Sequence, residues 1–219
     1  MTPTSPPRND DIVTLDVLLR TGRMAQLRPV RGADEPALRD LNARISLGTR
    51  MRRYFTSSEE PGSWYIDQLM SSKNGHQALV AFVDDRVVAL AGFARLERDP
   101  TVADLALLVD DAHQSEGLGA LLLEHLANLA AHHGIATFVA DVLIDNTPML
   151  HLLSGSGFAV RSHPARGVAE LHVELADRPE LRAAVHHRDT VAERASLRRV
   201  LAPRSVAVVG SSRSGSVAD

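Results

Sequence analysis

Cysteine is absent from all 219 residues, which excludes disulfides, thiolate metal sites and a cysteine nucleophile. Lysine is nearly absent as well: Lys73 stands alone and every other basic residue is arginine. No apolar run approaches the ~20 residues a membrane helix needs, and Met1 to Asn9 lacks the charged-then-apolar order of a secretory signal. A cytoplasmic location is therefore expected. The ten histidines are scattered, and His132-His133 and His186-His187 are adjacent rather than spaced i, i+4 on one helical face. No metal site is expected.

Acidic and basic residues are unevenly placed. Between Gln26 and Ala176 there are 19 acidic against 13 basic residues, net −6, whereas Asp177 to Asp219 has 5 against 8, net +3. Nucleic-acid binding rests on clustered Lys and Arg against phosphate, so the acidic main part is not expected to bind nucleic acid. An apolar content of 44% is ample for a packed core without staples.

Residues 1–15, rich in Pro, Thr, Ser and Asn at the start, read as a disordered leader. A hairpin follows, with Asp16 to Arg20 and Met24 to Pro29 joined through Thr21-Gly22. Helical patterning covers Pro36 to Ile45, Thr49 to Phe55 and Gly62 to Met70. After a Lys73-Asn74-Gly75 turn, His76 to Val83, Val87 to Leu96 and Asp104 to Val109 form an antiparallel meander.

The stretch from Ala103 to Gly134 organises the rest. The strand ending at Val109 leads into Gln114-Ser115-Glu116-Gly117-Leu118-Gly119 and then an amphipathic helix to His132. Such a turn offers unpaired N–H groups and the positive end of a helix dipole to a phosphate, and its glycines let a ligand approach the backbone. Downstream lie a strand at Thr137 to Leu143, a short helix from Asn146 to Ser154, a restart at Gly157-Phe158 and a last strand at Val168 to Leu175. Residues 177–202, charged and rich in Arg, Glu and Ala, read as a solvated helical linker. Ser205 to Gly210 then reads as a strand running into a Gly/Ser-rich loop, too short for a whole βαβ unit.

This order, with Gln114, Gly117 and Gly119 on a Q/R-x-x-G-x-G/A pattern, resembles the GNAT acetyltransferase superfamily over roughly Met24 to Ala176. The segments Leu27-Arg28-Pro29-Val30-Arg31, Thr49-Arg50-Met51-Arg52-Arg53-Tyr54-Phe55 and Ser205-Val206-Ala207-Val208-Val209-Gly210 look closer still to one branch. That branch comprises bacterial protein lysine acetyltransferases whose GNAT domain is fused to a domain similar to ADP-forming acyl-CoA synthetase.

The resemblance implies a mixed α/β GNAT fold over 16–176. Its central, mostly antiparallel sheet would have about six to seven strands flanked by helices, splayed between the fourth and fifth. Residues 203–219 would be the truncated start of a CoA-binding Rossmann-like domain. The cosubstrate would be acetyl-CoA, contacted by Leu108, Val109, Gln114, Ser115, Glu116, Gly117, Leu118, Gly119, Ala120 and Asn146. The acceptor would be a protein lysine, such as one on an acyl-CoA synthetase. Alternatives are a non-catalytic CoA sensor and an acetyltransferase for small amines.

An ammonium with pKa ≈10.4 must lose a proton before it can attack a thioester. A carboxylate or an ordered water can take it. The family places an acid where Asp104 stands here, with Asp141 and Glu97 as fallbacks. Val109 is the expected amide donor to the acetyl carbonyl. Two departures stand out: Leu153 occupies the position of a common thiolate-protonating tyrosine, and Glu116 brings a carboxylate to a phosphate turn.

Overall fold

Some strands alternate buried and exposed positions, as at 24–29 and 168–174, while those at 76–83 and 86–96 are buried almost throughout; the structure, a computed structural model, describes residues 14–71 and 75–201. The leader up to residue 13, the Lys73-Asn74 part of the turn and the strand expected at Ser205 lie outside the described residues.

The strands are β1 (Leu15–Leu18), β2 (Met24–Pro29), β3 (His76–Val83), β4 (Arg86–Leu96), β5 (Asp99–Val109), β6 (Thr137–Leu143), β7 (Ala159–Ala165) and β8 (Val168–Glu174). The helices are α1 (Glu35–Arg44), α2 (Leu47–Tyr54), α3 (Glu60–Ser71), α4 (Leu118–His132), α5 (Thr147–Ser154) and α6 (Pro179–Leu201). One sheet takes the order β1-β2-β3-β4-β5-β6-β8-β7. Among the described residues only the β5–β6 pair is parallel, and α4 is the crossover that parallel neighbours require. No helix among the described residues is long and apolar enough to cross a membrane.

The mixed α/β fold is as expected, with three differences in detail. Among the described residues eight strands form the sheet rather than six or seven. The splayed seam falls between the fifth and sixth strands, which are the fourth and fifth only when counting starts at β2. β5 also begins at Asp99, so Asp104 is interior to the strand rather than at its start. Pro100 does not stop it, since a missing N–H is tolerated near a strand end.

Each face of the sheet carries its own apolar layer. On one, Leu118, Leu122 and Leu126 of α4 pack with Phe138 and Leu153. Each fully buried leucine contributes about 1.5–3 kcal/mol. On the other, Leu38, Leu41 and Ile66 of α1 and α3 cover Val80, Leu90 and Leu108.

The expected solvated connector packs back onto the domain instead. Ala192 of α6 is buried, Leu181 joins the α4 layer and Arg188 pairs with Glu124 of α4. Gly157 makes this possible, because a Cβ there would lie 2.6 Å from the backbone of Glu180 and Leu181.

A buried ion pair fixes the entry to α1. Asp34 accepts both prongs of the Arg28 guanidinium at 2.7 Å and the Arg31 amide at 2.8 Å. Burial alone would raise the Asp34 carboxyl, but the Arg28 and Arg31 bonds outweigh it and hold it below the usual range. A lowered carboxylate stabilises the fold above its unfolded pKa of ~3.9, and that stability is lost as pH falls through the folded value. Asp34→Asn removes the charge that faces Arg28, leaving it the Pro29 carbonyl and the Phe82 ring, and should cost about 1–3 kcal/mol, read as a loss of thermal midpoint at pH 7 that shrinks toward pH 3.

Candidate active site

β5 and β6 pair only at Val102–Thr137, Ala103–Phe138 and Asp104–Val139. Beyond Asp104 the strands diverge, while β5 stays bonded to β4 as far as Val109. The result is a wedge whose closed end is Asp104 and whose open end faces the start of α4. Along its length Leu105 to Val109 lack a β6 partner, so backbone groups on that edge are available to a ligand.

Asp104 shares its sheet face with Ala94, its β4 partner, and with Val139 and Asp141 of β6. The side chain reaches solvent, yet enough protein surrounds it that desolvation raises its carboxyl, opposed by the charge of Arg53 and aided by that of Asp141. Arg53 stacks 4.8 Å from the Tyr54 ring centroid and 5.1 Å from that of Tyr65. The Tyr65 hydroxyl lies against Gly92, since a Cβ there would be 2.5 Å from it, and burial pushes this phenol up to about 12. Asp141 is exposed and pairs in register with Glu170 of β8. Glu97 lies in the β4–β5 turn, outside both strands.

The turn before α4 is strapped from two sides. Asp110 takes the Arg44 guanidinium at 2.6 Å and caps the Ala112 amide. Burial would raise the Asp110 carboxyl, but these bonds hold it below the usual range. Asp111 accepts from the Ser46 amide and hydroxyl and from the Thr49 hydroxyl, joining the turn to the start of α2. Gln114 donates to the Thr49 hydroxyl at 3.1 Å and the Val109 carbonyl at 3.2 Å, so its side chain braces the turn. On the opposite side the Glu116 carbonyl accepts from the Arg20 amide at 2.9 Å.

The Glu116 carboxylate is turned to the β1–β2 hairpin, 3.7 Å from Arg23, so its charge is directed toward a cation. Ser115 and Gly117 have φ of 64° and 97°, which turns the chain sharply into α4. The amides of Leu118 and Gly119 open the helix without intrahelical partners, whereas that of Ala120 bonds the Gly117 carbonyl. Asn146 caps α5, its side chain accepting from the Met149 amide at 3.3 Å. Leu153 is fully buried in the α4 layer.

Asp104, Leu108, Val109 and residues 114–120 therefore border one wedge, and Asp141 lies on the same sheet face as Asp104. Val109 lies five residues beyond Asp104, about 17 Å along a strand, too far for its amide and the Asp104 carboxylate to serve one acetyl group. Sequence reasoning missed Arg44, Ser46, Thr49, Asp110 and Asp111. The adjacent acids just before the glycine turn were the available signal, but their partners lie more than sixty residues away.

Residues 45–158 match the Acetyltransferase (GNAT) family. The chain is 29% identical over 168 residues to Acetyltransferase Pat of Mycolicibacterium smegmatis, covering 75% of this chain and 50% of that protein, so it spans about half that relative's length. It superposes on the GNAT domain of S. lividans PAT with a TM-score of 0.68 at 26% identity, over 74% of this chain and 96% of that one. It shares the fold of yncA from Salmonella typhimurium, solved with acetyl-CoA, with a TM-score of 0.54 at 20% identity over 70% and 95% of the two chains. Wedge, glycine turn and family match agree: the chain belongs to the GNAT acetyltransferase family.

Proposed function

We propose that this protein moves an acetyl group from acetyl-CoA to the side-chain amine of a protein lysine, with Asp104 as the base. The observation that carries the reading is the wedge itself, closed at Asp104 and open at the α4 amides. Those amides, with the α4 dipole, suit the pyrophosphate. The free edge of β5, including Leu108 and Val109, suits the amide groups of the pantetheine arm as an added strand would. A β5 amide nearer Asp104 than Val109 then holds the acetyl carbonyl.

The acceptor ammonium gives a proton to Asp104, directly or through a water that bridges the short reach of an aspartate. The amine nitrogen attacks the carbonyl carbon, the C–S bond breaks, and the nitrogen gives up its second proton to water as the amide forms. With Leu153 at the tyrosine position, the thiolate leaves unaided and takes its proton from water, as a thiol pKa of ~8.5 permits. Asn146, occupied as a helix cap, acts by holding α5 at the wedge's rim.

The relative named Pat and the PAT GNAT domain favour a protein acceptor, and the likeness of residues 203–219 to a synthetase-like domain favours an acyl-CoA synthetase among proteins. In this reading α6 links the catalytic domain to that segment while resting against α4. Incubation with acetyl-CoA and a panel of acyl-CoA synthetases should release thiol and yield acetyl-lysine by mass spectrometry. Tight acetyl-CoA binding with no transfer to any amine would instead identify a sensor, and transfer confined to free amines would identify a small-molecule enzyme.

A further inference from the structure

We infer that the β7–β8 hairpin holds a binding site for a divalent cation of the zinc class, formed by His163, Glu170 and His172. One ligand atom from each of the three lies within 4.8 Å of the others. The hairpin register produces this: His163 is directly opposite Glu170, and His172, two residues along β8, projects from the same face. The rings of His163 and His172 meet edge to face at 5.3 Å, and a His172 ring nitrogen is 2.6 Å from a Glu170 carboxylate oxygen.

Two imidazoles and one carboxylate are a donor set for zinc, copper or nickel rather than for magnesium or calcium. Zinc bonds of about 2.0–2.2 Å would draw the donor atoms somewhat closer together. The side chains can make that adjustment because His163 and Glu170 are exposed and His172 is half-buried. The surrounding charges are mixed. Asp141 lies directly across from Glu170 on β6 and adds a negative charge on that face. Arg161, opposite His172, is engaged by Glu174, and Arg98 is the remaining cation acting on Glu170. A bound dication would sit on the acceptor side of the sheet, two strands from Asp104.

Calorimetric titration of the full chain with zinc chloride in a non-chelating buffer tests the site. One ion per chain should bind with micromolar affinity, and magnesium chloride should give no heat. His163→Ala and His172→Ala should each weaken zinc binding by about tenfold or more, while His186→Asn/His187→Asn on α6 should leave it unchanged. Circular dichroism of the variants should match the parent, since none of the substituted side chains is buried in the core. Zinc binding that survives both hairpin substitutions, or that needs millimolar ion, overturns the site. Neither result bears on Asp104, because no acetyl transfer is measured.

Discussion

Asp104→Asn should lower kcat/KM for the amine acceptor by about 10²–10⁴-fold, the range a positioned general base contributes, while leaving acetyl-CoA affinity unchanged. The amide keeps the shape of the carboxylate and removes only its basicity. The same change should leave the thermal midpoint unchanged or raise it. Desolvation and Asp141 raise the Asp104 carboxyl, so the folded state favours its protonated form and carries an ionised Asp104 at a cost at neutral pH. Lost activity with retained stability is the signature of a residue held for chemistry.

The pH profile gives the second arm. Asp104 must be ionised to accept a proton, so activity falls as pH drops through its folded pKa, at higher pH than for an ordinary aspartate near ~3.9. Arg53 pulls that value down, so Arg53→Met should move the acid limb to still higher pH. An unchanged rate in Asp104→Asn, with Asp141→Asn lowering it, would transfer the base role to β6.

Gly117→Val should weaken acetyl-CoA binding by roughly 10²-fold while the domain still folds. The φ of 97° at Gly117 costs a β-branched residue about 1–3 kcal/mol. The turn can escape that strain by rotating its peptide planes, which turns the α4 amides away from the phosphates. At 1.4 kcal/mol per decade, strain relieved in this way accounts for one to two decades of affinity. The fold survives because the nearest obstacle to a new Cβ is the flexible Arg20 side chain at 3.1 Å. Equilibrium binding of acetyl-CoA with the midpoint of unfolding measured alongside decides the case. Retained affinity would mean the turn does not hold the pyrophosphate.

Much of the fold is legible in the amino-acid sequence. β3 and β6 fall on the expected residues, and the helix after the glycine turn ends at His132 as expected. Those elements are long, strongly patterned and bounded by Gly or turn residues, so local chemistry decides them. Asp104 departs from its expected place at a strand start, because β5 already begins at Asp99, which pairs with Leu96 of β4 across a register shift. Nor could the sequence tell whether Glu116 faces phosphate or protein.

By itself the sequence determined the element order, the phosphate-type turn and the acid that precedes it on the same strand. Each depends on contacts within a few residues, where spacing alone fixes which groups meet. Only the tertiary structure decided that Glu116 faces Arg23, that Asp110 and Asp111 tie the turn to α1 and α2, and that α6 lies against α4. These outcomes join segments sixty or more residues apart, and no local periodicity carries them. They follow from which side chains the sheet order and the space left by Gly157 bring within reach.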